Sequence, residues 1–461
     1  MQNRVVMIAT AMAFLLGLPD ADAVTLVVAI NHDDCPTALF QTISDAVAVA
    51  QDGDTILVCP GTYPEQVVLT KSVRLVGQGH PVVQPGTLGT VLPSPLGGKR
   101  VAAGIVADDT HVFLTGLDLD LSATTGQDCR TILAGVYLRN ANALMSDVDI
   151  GNVRVPAAPN CDTGVGLFAE SGAISLPDGA TLLGQSKVTI RSSRFHDVQK
   201  GGVVVNGVGT TFHIHKSEIV GDGPTAAIVQ NGIQVGFGAR AQIGALAIHG
   251  FVTQAAGKAA GGVLAYQADR ADVLGTTVTD SQTGVLIVGK GFVRGAALGN
   301  LSGDGVALIG DGSLVMSTNI VGAAVSGVYE RGDRNAVVFG FIDQTPTGIW
   351  NDGGSGNVVR DTRFGPSVST SQSSGDRDFD ATTAAPLSPL CQSDADCDDG
   401  DPCTVDTCDL STNVCQHVAG CDDGNPCTVD SCDPTLGCQN VAVPDGTPCG
   451  TAMACVGGVC S

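Results

Sequence analysis

The sequence predicts an all-β fold: a right-handed parallel β-helix solenoid with an N-terminal cap helix, followed by a small disulfide-rich irregular C-terminal module. Three observations lead there. A Gly-Val or Gly-Ile dipeptide returns at a near-constant interval. The segments between the returns are short, alternating and β-branched. Charge and cysteine usage change sharply near residue 391.

Residues 1–23 have the layout of an export signal. Arg4 precedes an apolar stretch from Val5 to Leu18, and Ala21-Asp22-Ala23 forms an A-x-A cleavage site. The stretch is too short to span a bilayer, and no later segment is apolar enough to do so. Residues 24–72 are expected to cap the solenoid. Ile43, Ala46, Val47 and Ala50 fall on one helical face, which predicts a helix over 40–51 lying across the first coil. Such a cap protects the open sheet edge from pairing with another chain.

Residues 73–366 carry the repeat. The dipeptide occurs at Gly104-Ile105, Gly135-Val136, Gly164-Val165, Gly202-Val203, Gly232-Ile233 and Gly262-Val263, then at Gly284-Val285, Gly305-Val306, Gly327-Val328 and Gly348-Ile349. The last five starts are 22, 21, 22 and 21 residues apart, and the earlier gaps of 29 to 38 leave room for loops. That interval is a solenoid period; a propeller blade, the alternative, needs about twice as much. Each period holds a second strand, such as "KVTIRSSRF" at 187–195, with apolar residues at every other position and so one inward face. About ten coils are expected.

The segment 40–79, "FQTISDAVAVAQDGDTILVCPGTYPEQVVLTKSVRLVGQG", resembles the opening of the pectin lyase-like superfamily, pectin methylesterases and their non-enzymatic relatives included. The shared residues are Phe40, Thr42, Ile43, Ala46, Val47, Gly53-Asp54, Gly61-Thr62-Tyr63, Glu65, Val67 and Gly77. The resemblance implies the scaffold. In the esterases it would also imply two rung-borne Asp, an oxyanion-stabilising Gln and an Arg, set in Gln-Ala-Val-Ala-Leu, Asp-Phe-Ile-Phe-Gly and Gly-Arg-like motifs. None of these motifs occurs here; "GFIDQ" at 340–344 has Phe, Ile and Asp in another order.

Residues 367–390 are rich in Ser, Thr, Asp, Ala and Pro and read as a linker. Residues 391–461 contain twelve Asp and no Glu, Lys or Arg, whereas 24–390 carry 32 acids against 22 bases. Within this tail "CDDGDPCTVDTCDLSTNVC" (397–415) is repeated as "CDDGNPCTVDSCDPTLGC" (421–438). The pattern resembles the Cys-Thr-x-Asp-x-Cys extracellular repeat of slime-mould matrix proteins. The cysteines divide evenly, four in the body and twelve in the tail, as disulfides in an oxidising compartment would. In the body the expected pairs are Cys35–Cys59 and Cys129–Cys161. In the tail, pairing is expected mostly within the units Cys397, Cys403, Cys408, Cys415 and Cys421, Cys427, Cys432, Cys438, leaving Cys391, Cys449, Cys455 and Cys460 to pair among themselves or with neighbours.

A net charge of −23 argues against nucleic acid and anionic membranes, and against a polyanion unless a cation bridges. Candidate chemistry is sparse. Asp118 and Asp120 lie two residues apart on a strand, and Asp147 and Asp149 repeat the spacing one coil later. Four such carboxylates, if stacked, would repel unless one were protonated or a cation sat among them. They are the candidates for acid–base catalysis or a Ca²⁺ site, against the simpler reading of solvated residues at coil corners. Asp394, Asp396 and Asp398 are spaced like part of a Ca²⁺ loop but lack its Gly register and bidentate Glu. Tyr137 and Arg139 are the candidate sugar-stacking pair. No cofactor is required, and calcium is the one candidate ion. The function expected is that of a secreted bacterial protein, extracellular, cell-surface or periplasmic. It would bind polysaccharide or cell-surface glycan, or serve adhesion or matrix assembly, without a recognisable catalytic site. The alternatives are a polysaccharide lyase or hydrolase using the Asp cluster, and a purely structural envelope protein.

Overall fold

A short β-branched run with turn residues at both ends cannot bury its apolar face alone, so identical runs must stack. The computed structural model shows how they do. It describes residues 23–31, 35–156, 158, 160–175, 181–226, 228–254, 260–365, 368, 372–373, 393–394, 404–409, 414–421, 423–433, 437–450 and 453–460. The expected export signal lies outside the described residues except for Ala23, and so does the linker except for 368 and 372–373.

The body is a right-handed parallel β-helix with three sheets, each coil giving one strand to each. In the first sheet a column of inward residues runs Val67, Ile105, Val136, Leu167, Val203, Ile233, Val263, Val285, Val306, Val328 and Ile349 in direct register. Ten steps of about 4.8 Å make this column roughly 50 Å long. One coil departs from the expected phase: its equivalent dipeptide is Gly166-Leu167, not Gly164-Val165. The glycine of each dipeptide is required by space. A Cβ on Gly135 would lie 2.5 Å from the Gly166 carbonyl oxygen and 2.6 Å from Ile150 Cγ2. The crowding side chain belongs to the third sheet, whose inward column includes Leu119, Ile150, Phe195, Ile219 and Ile248.

Between the second and third sheets most coils turn on one left-handed residue, among them Gly116, Asp147, Ser192, Lys216, Ala245 and Gly275. A hydroxyl often follows and bonds back two residues, as from Ser217 to the His215 carbonyl and from Thr318 to the Met316 carbonyl at 3.1 Å. These hydroxyls satisfy main-chain groups that the corner takes out of the ladder.

The cap helix spans Ile43–Val49, with Thr42 as N-cap and Ile43, Ala46 and Val47 buried as its spacing predicts. Glu65 accepts from the Ile43 and Ser44 amides at 2.7 and 2.9 Å, Tyr63 is buried with its hydroxyl donating to the Cys59 carbonyl, and Asp54 accepts from the Val24 and Gln51 amides. The residues of the superfamily resemblance thus hold the first coil together, which is why they mark a fold rather than a reaction. Parallel pairing already begins inside the expected cap segment, where Thr25–Val28 pairs with Thr55–Val58 and that strand with Arg74–Gly77. It extends past residue 366, where Gln372–Ser373 still pairs with Trp350 and Asn351.

Disulfides Cys35–Cys59 and Cys129–Cys161 are present, with Cα atoms 6.4 and 5.0 Å apart. In the tail each repeat is an antiparallel hairpin, Thr404–Asp409 with Val414–Ala419 and Thr428–Asp433 with Gly437–Ala442. Cys449 pairs with Cys460, within the expected set. Cys427 pairs with Cys455, so the expectation of closure within units fails there. The physical reason is the hairpin: it places Cys432 opposite Cys438 and leaves Cys427, before the first strand, to reach the C-terminal segment. Cys421 is also disulfide-bonded, while Cys391, Cys397 and Cys403 lie outside the described residues.

Candidate functional site

Coil length decides where the aspartates go. Asp147 occupies the left-handed turn (φ 57°), as Gly116 does one coil earlier, and the offset of 31 residues between these coils brings Asp149 and not Asp147 into register with Asp118, with Asp120 opposite Gly151. The expected stack of two parallel Asp pairs is therefore corrected. His80, which the sequence reading did not single out, bridges instead. Its Nδ1 lies 2.9 Å from Asp118 and its Nε2 3.4 Å from Asp147. The bond to Asp118 raises the imidazole above its usual range, against a smaller effect of burial. Next along the sheet, His196 lies 2.8 Å from Asp149, within ion-pair range but off the hydrogen-bond line, and 2.6 Å from Asp197. Arg194 and Glu218, in register on neighbouring rungs, form an ion pair at 2.9 Å. Burial works against ionisation of Asp120, but donors from Ser122, Gln84 and Asn152 outweigh it and hold the carboxyl below its usual range. The outer third-sheet face is a row of carboxylates held variously by histidines, arginines and neutral donors.

A metal would need these oxygens to converge. Among the described residues the close group of three ligand atoms is the sulfurs of Cys427, Cys449 and Cys460, all disulfide-bonded. Asp394 is described, whereas Asp396 and Asp398 lie outside the described residues.

Tyr137 and Arg139 do not form a sugar platform. Tyr137 points out of its coil, but the strand Val91–Pro93 folds antiparallel onto Arg100–Asp108 and covers it, leaving the ring 0% exposed against Phe168. Its hydroxyl donates to Glu170 at 2.6 Å, and Ser94 donates to the other carboxylate oxygen at 2.8 Å. Burial raises both Tyr137 and Glu170, and the two hydrogen bonds to Glu170 only partly oppose its shift. Arg139 forks onto Asp108 and also donates to the Pro93 carbonyl. This is the cement of a covering loop. Tyr266, Tyr329 and Trp350, the other outward aromatics, are buried as well.

The open geometry lies on the outer face of the second sheet. Arg74, Phe113, Leu144, Thr189, His213, Gln242, Asp272 and Phe292 form one continuous outward row. The stacking of His213 over Thr189 and of His215 over Arg191 follows their spacing. Two clefts open on this face. One, of about 710 Å³, is lined by Arg74, His111, Phe113, Leu144, Lys187 and Arg191. The other, of about 510 Å³, is lined by Arg240, Asp269, Arg270, Asp272, Lys290 and Phe292. The Arg74 guanidinium sits 4.3 Å from the centre of the Phe113 ring. Strand-by-strand reading sees only scattered outward positions here. Register is what aligns them, and loop lengths hide register in the sequence.

Residues 396–419 and 420–443 each match the family described as Dictyostelium (slime mold) repeat. No curated protein matches the chain. Among solved structures, the chain is similar to the GH136 lacto-N-biosidase of Eubacterium ramulus (TM-score 0.47, 13% identity, 75% of this chain and 65% of that one). It is also similar to the periplasmic alginate epimerase AlgG (TM-score 0.38, 10% identity, 68% of this chain and 77% of that one). A third is tailspike protein 3 of bacteriophage CBA120 (TM-score 0.39, 11% identity, 85% of this chain and 67% of that one). The chain thus spans about 65% of the length of the lacto-N-biosidase.

Proposed function

We propose that this chain is an extracellular polysaccharide-binding protein whose ligand lies along the outer face of the second sheet. The observation that carries this reading is the pair of open clefts on one continuous face, each combining a phenylalanine ring with several long cationic side chains. Apolar ring plus charged donors is the combination a sugar chain meets with its C–H faces and its oxygens. An extracellular setting fits the disulfides in both parts of the chain and the duplicated hairpin repeat. No helix among the described residues is long and apolar enough to cross a membrane.

The test is a glycan and polyuronide panel, scored for binding and for turnover, with and without Ca²⁺. Binding without turnover is expected. A second reading, a polysaccharide-active enzyme, is favoured only by His80 between Asp118 and Asp147. Turnover that disappears in Asp118→Asn would establish it instead. A panel with no binding at all would leave the structural envelope protein.

A further inference from the structure

We infer that the glycan bound by the second-sheet face is acidic, a polymer carrying carboxylate or sulfate groups along its length. The inference rests on the glycan-binding reading and adds the charge class. In the strands of this sheet the outward cations are Arg74, Lys187, Arg191, Arg240, Arg270 and Arg294, with Arg360 at the end of the stack. The acids in these strands are Asp269, paired with Arg240, and Asp272, engaged by Arg270 at 2.8 Å. Among the described residues Lys187, Arg191, Lys290 and Arg294 meet no carboxylate within ion-pair distance. The neighbouring third sheet is the opposite, with Asp118, Asp120, Asp149, Glu218, Asp222 and Asp343 in its strands. A chain of net charge −23 has thus set four cations without a carboxylate partner together on this one face.

Net charge is a poor guide to what such a face binds. Through solvent the Debye length at physiological ionic strength is about 8 Å, so exposed acids reached only around the outside of the solenoid are largely screened. An anion on the second sheet therefore responds first to the cations it lies against. Spacing supports a polymer rather than a single ion. Lys187 and Arg240 stand two rungs apart in register, or about 10 Å, and Arg191 and Arg294 four rungs apart, or about 19 Å. Phe113 and Phe292 are six rungs apart, about 29 Å, so one extended chain lying along the solenoid axis would span both clefts. This reverses the expectation, drawn from net charge alone, that a polyanion requires a bridging cation.

The experiment uses the full chain and four probes of matched length in a calorimetric titration with EDTA present: a galacturonate oligomer, a chondroitin sulfate oligomer, a neutral cello-oligosaccharide and a single-stranded oligodeoxynucleotide. The expected result is binding of one or both acidic glycans, weakening as salt is raised, and at least about tenfold weaker in Lys187→Glu/Arg191→Glu. Lys99→Glu, an exposed cation outside this face, should leave affinity unchanged. Circular dichroism of each variant separates lost binding from lost fold, and Arg294→Ala gives a milder second test. Carboxylate and sulfate sources are told apart by which acidic probe binds. Equal binding of the neutral glycan, with no effect of charge reversal, would overturn the acidic class while leaving the glycan reading intact. Preference for the oligonucleotide would overturn both, and so would no binding to any probe.

Discussion

Glu330 stands where the alternation of a coil strand calls for an apolar residue. It continues the inward column Ile287, Leu308, Glu330, Asn351, is 0% exposed, and neither carboxylate oxygen has a hydrogen-bond partner among the described residues. Burial pushes its pKa from an ordinary 4.5 up to about 7. Between those pH values the folded chain keeps a proton that the unfolded chain has lost. Stability contributed at this site is therefore complete below about 4.5, falls as pH rises to about 7, and is flat above. Glu330→Gln should stabilise the last coils by about 1–3 kcal/mol at pH 8 and by almost nothing at pH 4. Trp350, the single tryptophan, lies one rung away beside Tyr329 and reports on this region in denaturant titrations. An equal gain at both pH values would show that the carboxyl is not the cause. The inward position of Glu330 was legible from the strand pattern; its isolation was not, because only the stack shows that Leu308 and Asn351 are what it meets.

At the scale of the coil, the Gly-Val/Ile repeat was legible because sterics force it: an inward Cβ at each of these glycines would strike the next coil and the third sheet. Gly232→Ala would place its Cβ 2.5 Å from the Gly262 carbonyl oxygen and 2.6 Å from Ile248 Cγ2. The carbonyl belongs to the ladder and cannot yield, so a loss of about 1–3 kcal/mol is expected. Gly299→Ala meets nothing nearer than the Val321 carbonyl oxygen at 3.6 Å and should gain about 0.4–1 kcal/mol from a stiffer unfolded chain. Thermal midpoints of the two variants should move in opposite directions, and a shared direction would refute the steric account. The candidate site was less legible for a reason of the same scale. Coil length varies along the solenoid, and the offset here is 31 residues. The 29 residues between Asp118 and Asp147 therefore did not mean stacking, and Asp118 meets Asp149 instead, whereas Arg194 and Glu218 do stack. Likewise nothing local to Tyr137 announces that residues 91–99 fold back over it.

Over the whole molecule two different kinds of stabilisation meet. The solenoid buries a continuous column of apolar side chains, so its coils depend on their neighbours and not on cross-links. The tail has few large apolar residues, and its valines Val405, Val429 and Val441 are exposed. A segment of that size cannot offset its ordering entropy without cross-links. Its disulfides supply the constraint, each worth about 2–4 kcal/mol by limiting the unfolded chain. Because Cys427 pairs with Cys455 across 28 residues, the second hairpin and the C-terminal segment hold each other. Mild reduction should therefore expose cleavage sites first beyond about residue 366, while far-ultraviolet dichroism keeps the sheet signal of the solenoid. Cys427→Ser alone should open the region from the second repeat to the C-terminus to protease and leave the first coils resistant. Cys35–Cys59 and Cys129–Cys161 tie loops to rungs that are already packed, so reducing them should raise loop cleavage without melting the stack. Loss of the solenoid signal together with the tail, or a tail that stays protease-resistant once its thiols are free, would mean that the two parts are not independently stabilised.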